Sequence, residues 1–166
     1  MSAHTDFVQA SDKYAQGFTK GHLKAPPAKK LAIVTCMDAR IDPAAHLGLQ
    51  EGDAHIIRNA GGAAKDALRS LIISQRLLGT REIALFHHTD CGMLTFSSQH
   101  LHSILKSQTK VDPETIDKID FLEFGDLEEA VKSDVKWLKE NPLVLEETKV
   151  TGWVYEVETG KVRQVA

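Results

Sequence analysis

At 166 residues with 42% apolar side chains, the chain has the size and composition of one globular domain, and a single domain over 1–166 is expected. Its 20 basic and 23 acidic side chains leave a formal net charge of −3, too little to attract nucleic acid or an anionic membrane, so neither is an expected partner.

The N-terminal stretch MSAHTDFVQASDKYAQ lacks the apolar run of a secretory signal, and segments such as LAIV and IALF are too short to cross a bilayer. A cytoplasmic location is expected, where two cysteines stay reduced and serve as core residues, reactive groups or metal ligands. The first 22 residues can form a helix with Phe7, Tyr14 and Phe18 on roughly one side, the body of an N-terminal arm over 1–25. Residues 29–36, KKLAIVTC, read as a strand buried on both faces, with Cys36 at its carboxyl end. A second short strand over 54–58, AHIIR, runs into NAGGAA, whose paired glycines permit a tight turn before a helix over 64–78 that stops at Gly79. Residues 81–87, REIALFH, form the third strand, with Cys91 in the loop beyond it. Helices are expected over 98–107 and 126–140, the latter with Leu127, Val131, Val135 and Leu138 at helical spacing and Pro142 past its end. The closing VTGWVYEVETGKVRQV alternates around a Thr-Gly turn, as two short strands at a sheet edge do. The expected fold class is α/β: a mostly parallel central sheet flanked by helices, with an N-terminal helical arm and a short C-terminal strand pair.

In such a sheet, functional groups gather beyond the carboxyl ends of the strands, and both Cys36 and the 87–91 segment lie there. The spacing His88-x-x-Cys91 lets one loop present both side chains to one ion, and Cys36, His88 and Cys91 together make a catalytic zinc set with an open fourth position. His88 is preferred over His87 because neighbouring strand residues face opposite sides; His87 then reads as a core residue or one bracing a ligand. In CMDAR, an extended chain would put Cys36, Asp38 and Arg40 on one side, with the guanidinium gripping the carboxylate in a bidentate pair. Alone, such a pair reads as a surface ion pair; beside HTDC it reads as an aspartate held to accept a hydrogen bond from a metal-bound water. Asp90 is expected to cap its loop by accepting backbone N–H groups. Arg58 and Asn59 are expected to brace the glycine turn, and with Asp90 they are expected to stand just behind the ligands. His4, His22, His100 and His102 are expected to be solvated, His46 and His55 to pack or lie on the surface, and Trp137 and Trp153 to anchor the core or an interface.

CMDAR, RNAGG and HHTDCGM, in that order and at these separations, resemble the β-class carbonic anhydrase family and its pattern Cys-x-Asp-x-Arg, Arg-Asn-Ala-Gly, His-x-x-Cys-Gly. The likeness runs from about residue 30 to 95, so a zinc-site core over 29–95 is expected, and the short N-terminal region is similar to the family's compact branch. The resemblance implies one Zn²⁺ per chain on Cys36, His88 and Cys91, a catalytic dyad of Asp38 and Arg40, and a pocket lined by the backbone of Gly61, Gly62 and Gly92. It implies hydration of a small neutral gas, carbon dioxide, to bicarbonate by metal-bound hydroxide, in a homodimer or dimer of dimers. The same branch includes carbonyl sulfide and carbon disulfide hydrolases, which release hydrogen sulfide from the same kind of site. Whether water or Asp38 is the resting fourth ligand stays open. A non-enzymatic zinc or thiol module is a remote alternative and would have no use for Asp38. A cysteine phosphatase is excluded, since its loop needs an arginine six positions after the cysteine and residue 42 is Asp.

Overall fold

A computed structural model describes residues 4–166. Among them, strands β1 (Leu31–Cys36), β2 (Ala54–Asn59), β3 (Glu82–His88), β4 (Lys149–Glu156) and β5 (Lys161–Gln164) form one sheet in the order β2-β1-β3-β4-β5. The first four run parallel, and β5 returns antiparallel to β4. The helices are α1 (Phe7–Gln16), α2 (Pro43–Leu47), α3 (Ala64–Leu78), α4 (Ser98–Gln108), α5 (Pro113–Asp117) and α6 (Leu127–Glu140). None is long and apolar enough to cross a membrane.

The expected α/β class and its principal elements are present, with four differences. The third strand extends to His88, so His88 rather than His87 is its last residue. Of the C-terminal pair only β5 lies at a sheet edge; β4 is interior, hydrogen-bonded to β3 on one side and β5 on the other, with Val150, Gly152 and Val154 packed under α6. The N-terminal helix is shorter than expected: α1 ends at Gln16, leaving Phe18 beyond it, and residues 1–3 lie outside the described part. The short helices α2 and α5 have no counterpart in the periodicity reading; each begins on Pro at its first position, a turn-scale signal.

One face of the sheet is sealed by α3 and α6. Ala32, Val34, Ile83, Leu85, Val150 and Val154 meet Ala64, Ala67, Leu71, Val131, Val135 and Leu138 in one dry cluster. Burying each large aliphatic member contributes ~1.5–3 kcal/mol. Asp134 on α6 accepts the Ala64 N–H at 2.9 Å, which satisfies the first turn of α3 and ties the two helices together. α3 then stops at Gly79 with φ +77, a left-handed cap that favours glycine.

The helix α6 approaches β4 so closely that residue 152 can carry no side chain. A Cβ there would fall 2.5 Å from Val131 Cγ1 and 2.8 Å from Val135 Cγ2. Gly152→Ala is therefore expected to destabilise the fold by about 1–3 kcal/mol through overpacking, read as a lowered urea midpoint at unchanged m-value.

Candidate metal centre

The parallel pairing of β1 and β3 delivers their carboxyl ends to the same rim. There the side chains of Cys36, His88 and Cys91, all buried, bring one donor atom each to within 4.8 Å of one another. Among the described residues this is the one group of three His, Cys, Asp or Glu close enough to hold a metal. Both thiols are free. The neighbouring Cys91 thiol holds Cys36 well below the ordinary thiol range against the opposing pull of burial, and the Cys36 sulfur together with burial pushes Cys91 above it.

The orientation of His88 is settled by its neighbour. Its Nδ1 lies 2.8 Å from the Thr89 carbonyl oxygen, which can only accept, so Nδ1 carries the hydrogen. Nε2 is left buried and without a hydrogen-bond partner, its lone pair turned into the cysteine cluster. An orphaned buried imidazole nitrogen beside two thiols costs free energy unless something coordinates it. Two sulfurs and one imidazole nitrogen suit zinc, so the donor set fits that ion. His87 points the other way, stacked on Phe124 with ring centroids 4.9 Å apart and its Nε2 3.4 Å from Asp134 on α6. The strand parity that separates the two histidines is thus seen in the structure.

Asp38 and Arg40 form the bidentate pair, Nε to Oδ1 at 3.0 Å and Nη2 to Oδ2 at 2.8 Å. They do so through a turn and not along an extended strand: the chain bends after Cys36, and the N–H groups of Arg40 and Ile41 fold back on Asp38. The Arg40 guanidinium, followed by its backbone N–H, holds the Asp38 carboxyl well below the usual carboxylate range, and Asp38 and Asp90 raise Arg40 in return. Asp38 Oδ2 lies 3.9 Å from His88 Nε2. Arg58 braces this turn instead of the glycine turn, donating to the carbonyls of Cys36 and Asp38 at 3.0 and 2.6 Å. Asn59 does brace the glycine turn, exchanging two hydrogen bonds with the backbone of Ala63.

Asp90 does not cap its loop as expected. Its carboxylate accepts Arg40 Nη1 at 2.7 Å, because at φ +53 the residue faces the guanidinium. The expected role of Gly62 also changes. An open cavity of roughly 330 Å³ adjoins the cluster, and Gly61 and Gly92 line it together with Met37, Ala60, Met93 and Phe96. Gly62 lies behind it at φ +72, where a Cβ would meet Phe86 O at 2.7 Å and Cys36 N at 3.0 Å. It is a point of close strand packing. The apolar walls Met37, Met93 and Phe96 carry no sequence signal of their own, since single apolar residues in loops have no periodicity to reveal them.

Of the remaining histidines, His46 packs against Tyr155 with centroids 4.5 Å apart, and burial lowers its pKa. His55 Nδ1 is paired with the Ser74 hydroxyl at 2.7 Å. His102 is not solvated as expected: its Nε2 donates to the Ile119 carbonyl at 2.8 Å and its ring packs on Phe121. Trp153 stacks on Phe86, and Trp137 packs at the margin of the core.

The family model described as carbonic anhydrase matches residues 31–162. The chain is 45% identical to β-carbonic anhydrase 1 of Mycobacterium tuberculosis, over 99% of both sequences. It is 32% identical to a carbon disulfide hydrolase of an Acidianus species, over 96% of this chain and 89% of that one. The solved carbonic anhydrase from Glaciozyma antarctica superposes with a TM-score of 0.94 at 53% identity, each chain covered in full.

With three donors there is no redundancy. Cys36→Ser, Cys91→Ser and His88→Ala are each expected to weaken zinc binding by more than the roughly 10–100-fold typical of residues one layer out. His87→Gln is expected to keep one zinc per chain. Metal analysis after dialysis checks both, and zinc lost from His87→Gln but kept by His88→Ala would reverse the assignment.

Proposed function

The chain belongs to the β-carbonic anhydrase family, and from that premise we propose that it hydrates carbon dioxide to bicarbonate at a zinc ion held by Cys36, His88 and Cys91. The observation that carries this reading is the orphaned Nε2 of His88 among two thiols, with the Asp38–Arg40 pair beside it and an apolar cavity in front. Zinc, when bound, supplies Lewis acidity that brings the pKa of water towards neutrality.

The chain's own residues supply the rest. Asp38 accepts a hydrogen of the attacking water and turns the oxygen lone pair towards the substrate carbon. Arg40 keeps Asp38 ionised and in place through Nε and Nη2. Carbon dioxide is linear and nonpolar, and Met37, Met93 and Phe96 receive it by contact alone. Thr89 fixes the His88 ring through Nδ1 and so preserves the donor geometry.

Carbon disulfide and carbonyl sulfide fit the same chemistry, and relatives at 30–33% identity are named carbon disulfide hydrolases. Carbon dioxide is preferred because the relatives named carbonic anhydrases reach 45–53%. The purified zinc protein is expected to release protons from carbon dioxide and little sulfide from the sulfur gases; the reverse outcome would assign it to the hydrolases. Asp38→Asn should lower the favoured activity by about 100-fold or more with zinc retained.

The pH dependence follows from sign. Asp38 is depressed and Arg40 raised, so both stay charged between about pH 6 and 9 and contribute no titration there. Two thiolates offset the formal charge of Zn²⁺, so the attacking water should ionise above the value of about 7 found with three imidazoles. Stopped-flow hydration rates are expected to rise with pH across this window, and a flat profile would overturn the account.

A second copy of the chain is also part of the proposal. The helix α1 buries none of its residues, and Phe7, Val8, Tyr14 and the following Phe18 stand exposed. Tyr14 of α1 and Lys20 in the segment after it both meet Glu51, polar anchors to the same chain. An isolated short helix with such a face is stabilised by tertiary cover, which a homodimer supplies. Light scattering is expected to give at least twice the 18.3 kDa chain mass, with Phe7→Ser plus Phe18→Ser shifting it towards the monomer; an active monomer at micromolar concentration would refute it.

A further inference from the structure

We propose that Asp90 is a positioning residue for this reaction: by clamping Arg40 it keeps Asp38 turned away from the metal donors. The inference rests on the reading of Cys36, His88 and Cys91 as zinc ligands and deepens it by naming what sets the Asp38 carboxylate.

Arg40 makes four side-chain hydrogen bonds to two residues. Nε and Nη2 hold the two oxygens of Asp38. Nη1 donates to the Asp90 carboxylate at 2.7 Å, and Nη2 donates also to the Asp90 carbonyl at 3.0 Å. Asp38 and Arg40 are only two residues apart on one turn, and Arg58 braces the backbone of that turn without touching either paired side chain; the Arg40 side chain is 49% exposed. Asp90 belongs to a different segment, the one that carries His88 and Cys91. Its grip therefore ties the pair to the donors themselves and sets the distance between them.

The backbone is built for this grip. Asp90 has φ +53, a left-handed conformation uncommon outside glycine but tolerated by aspartate, and in it both the carbonyl and the carboxylate reach one guanidinium. Nothing in the ligand set demands a charged residue there. The consequence for Asp38 is direct. Its Oδ2 is already 3.9 Å from His88 Nε2, and a carboxylate is an ordinary zinc ligand, so a released Asp38 would compete for the metal. The Arg40–Asp90 contact is exposed and so of modest strength, which sets the expected effect at roughly two- to fivefold.

The test uses the full-length protein loaded with cobalt(II), whose visible spectrum reports thiocyanate binding to the metal. Asp90→Gly keeps the left-handed backbone and its carbonyl while removing the carboxylate. It is expected to weaken thiocyanate binding roughly two- to fivefold and to lower kcat for the zinc form by a similar factor at unchanged KM and metal content. Asp90→Asn, which retains an acceptor oxygen and tolerates the same φ, should lose less. In an Asp38→Asn background the Asp90→Gly effect on thiocyanate should vanish, because no carboxylate remains to compete. Equal thiocyanate affinity in wild type and Asp90→Gly would overturn the proposal, as would an effect that persists unchanged in the Asp38→Asn background. A wild-type chain that takes up no cobalt would overturn the zinc reading and this clamp with it.

Discussion

Two parallel strands leave a sheet at the same edge, and the pairing of β1 with β3 is the constraint on which the candidate metal centre stands. It carries Cys36 and His88, which are far apart in the chain, to one rim, and a short turn then returns Cys91 to them. The pairing is protected at one tight point. Gly62 presses its backbone between the end of β1 and Phe86 of β3, where a side chain would strike Phe86 O and Cys36 N. The glycine turn is thus pressed against both strands, and Asn59 holds it there through Ala63.

The same strand separates structure from chemistry within two residues. On β3, Ile83 and Leu85 pack into the core under α3 and α6, and His87 continues that face towards Asp134. His88 emerges on the opposite side, and its Nδ1 is committed to the Thr89 carbonyl. Pleating alone assigns one histidine to the fold and the other to the site. Because β3 is packed along its length, this candidate ligand sits on a rigid element, as a coordination site would require.

Charge at the rim is arranged in sequence from interior to solvent. The buried Cys36 and Cys91 lie side by side, Asp38 is held ionised by Arg40, and Arg40 is in turn held by the more exposed Asp90. The cavity in front of this array is walled by Met37, Met93 and Phe96 and offers little polar recognition. Apolar walls of that kind select by size and shape more than by polar contact, and the relatives of this chain carry the names of both carbonic anhydrases and carbon disulfide hydrolases.

The sequence by itself determined the α/β rhythm, the helix over 64–78 to the residue, and the pairing of His88 with Cys91, because these depend on local signals: hydrophobic period, a stop glycine, strand parity and donor spacing; Cys36 joins them through the parallel rhythm that sets β1 beside β3. Local signals end where contacts cross between segments. Asp90 reads in sequence as a loop cap, and only the fold brings Arg40 to it across fifty positions. Gly62 reads as part of a lining, and only the packing of β1 against β3 makes it a contact point behind the cavity. Arg58 turns to the carbonyls of Cys36 and Asp38 because β2 lies beside β1, an adjacency that no spacing along the chain contains. The tertiary structure decided these roles because each rests on a partner chosen by strand order and turn geometry, and neither is written within reach of a single segment.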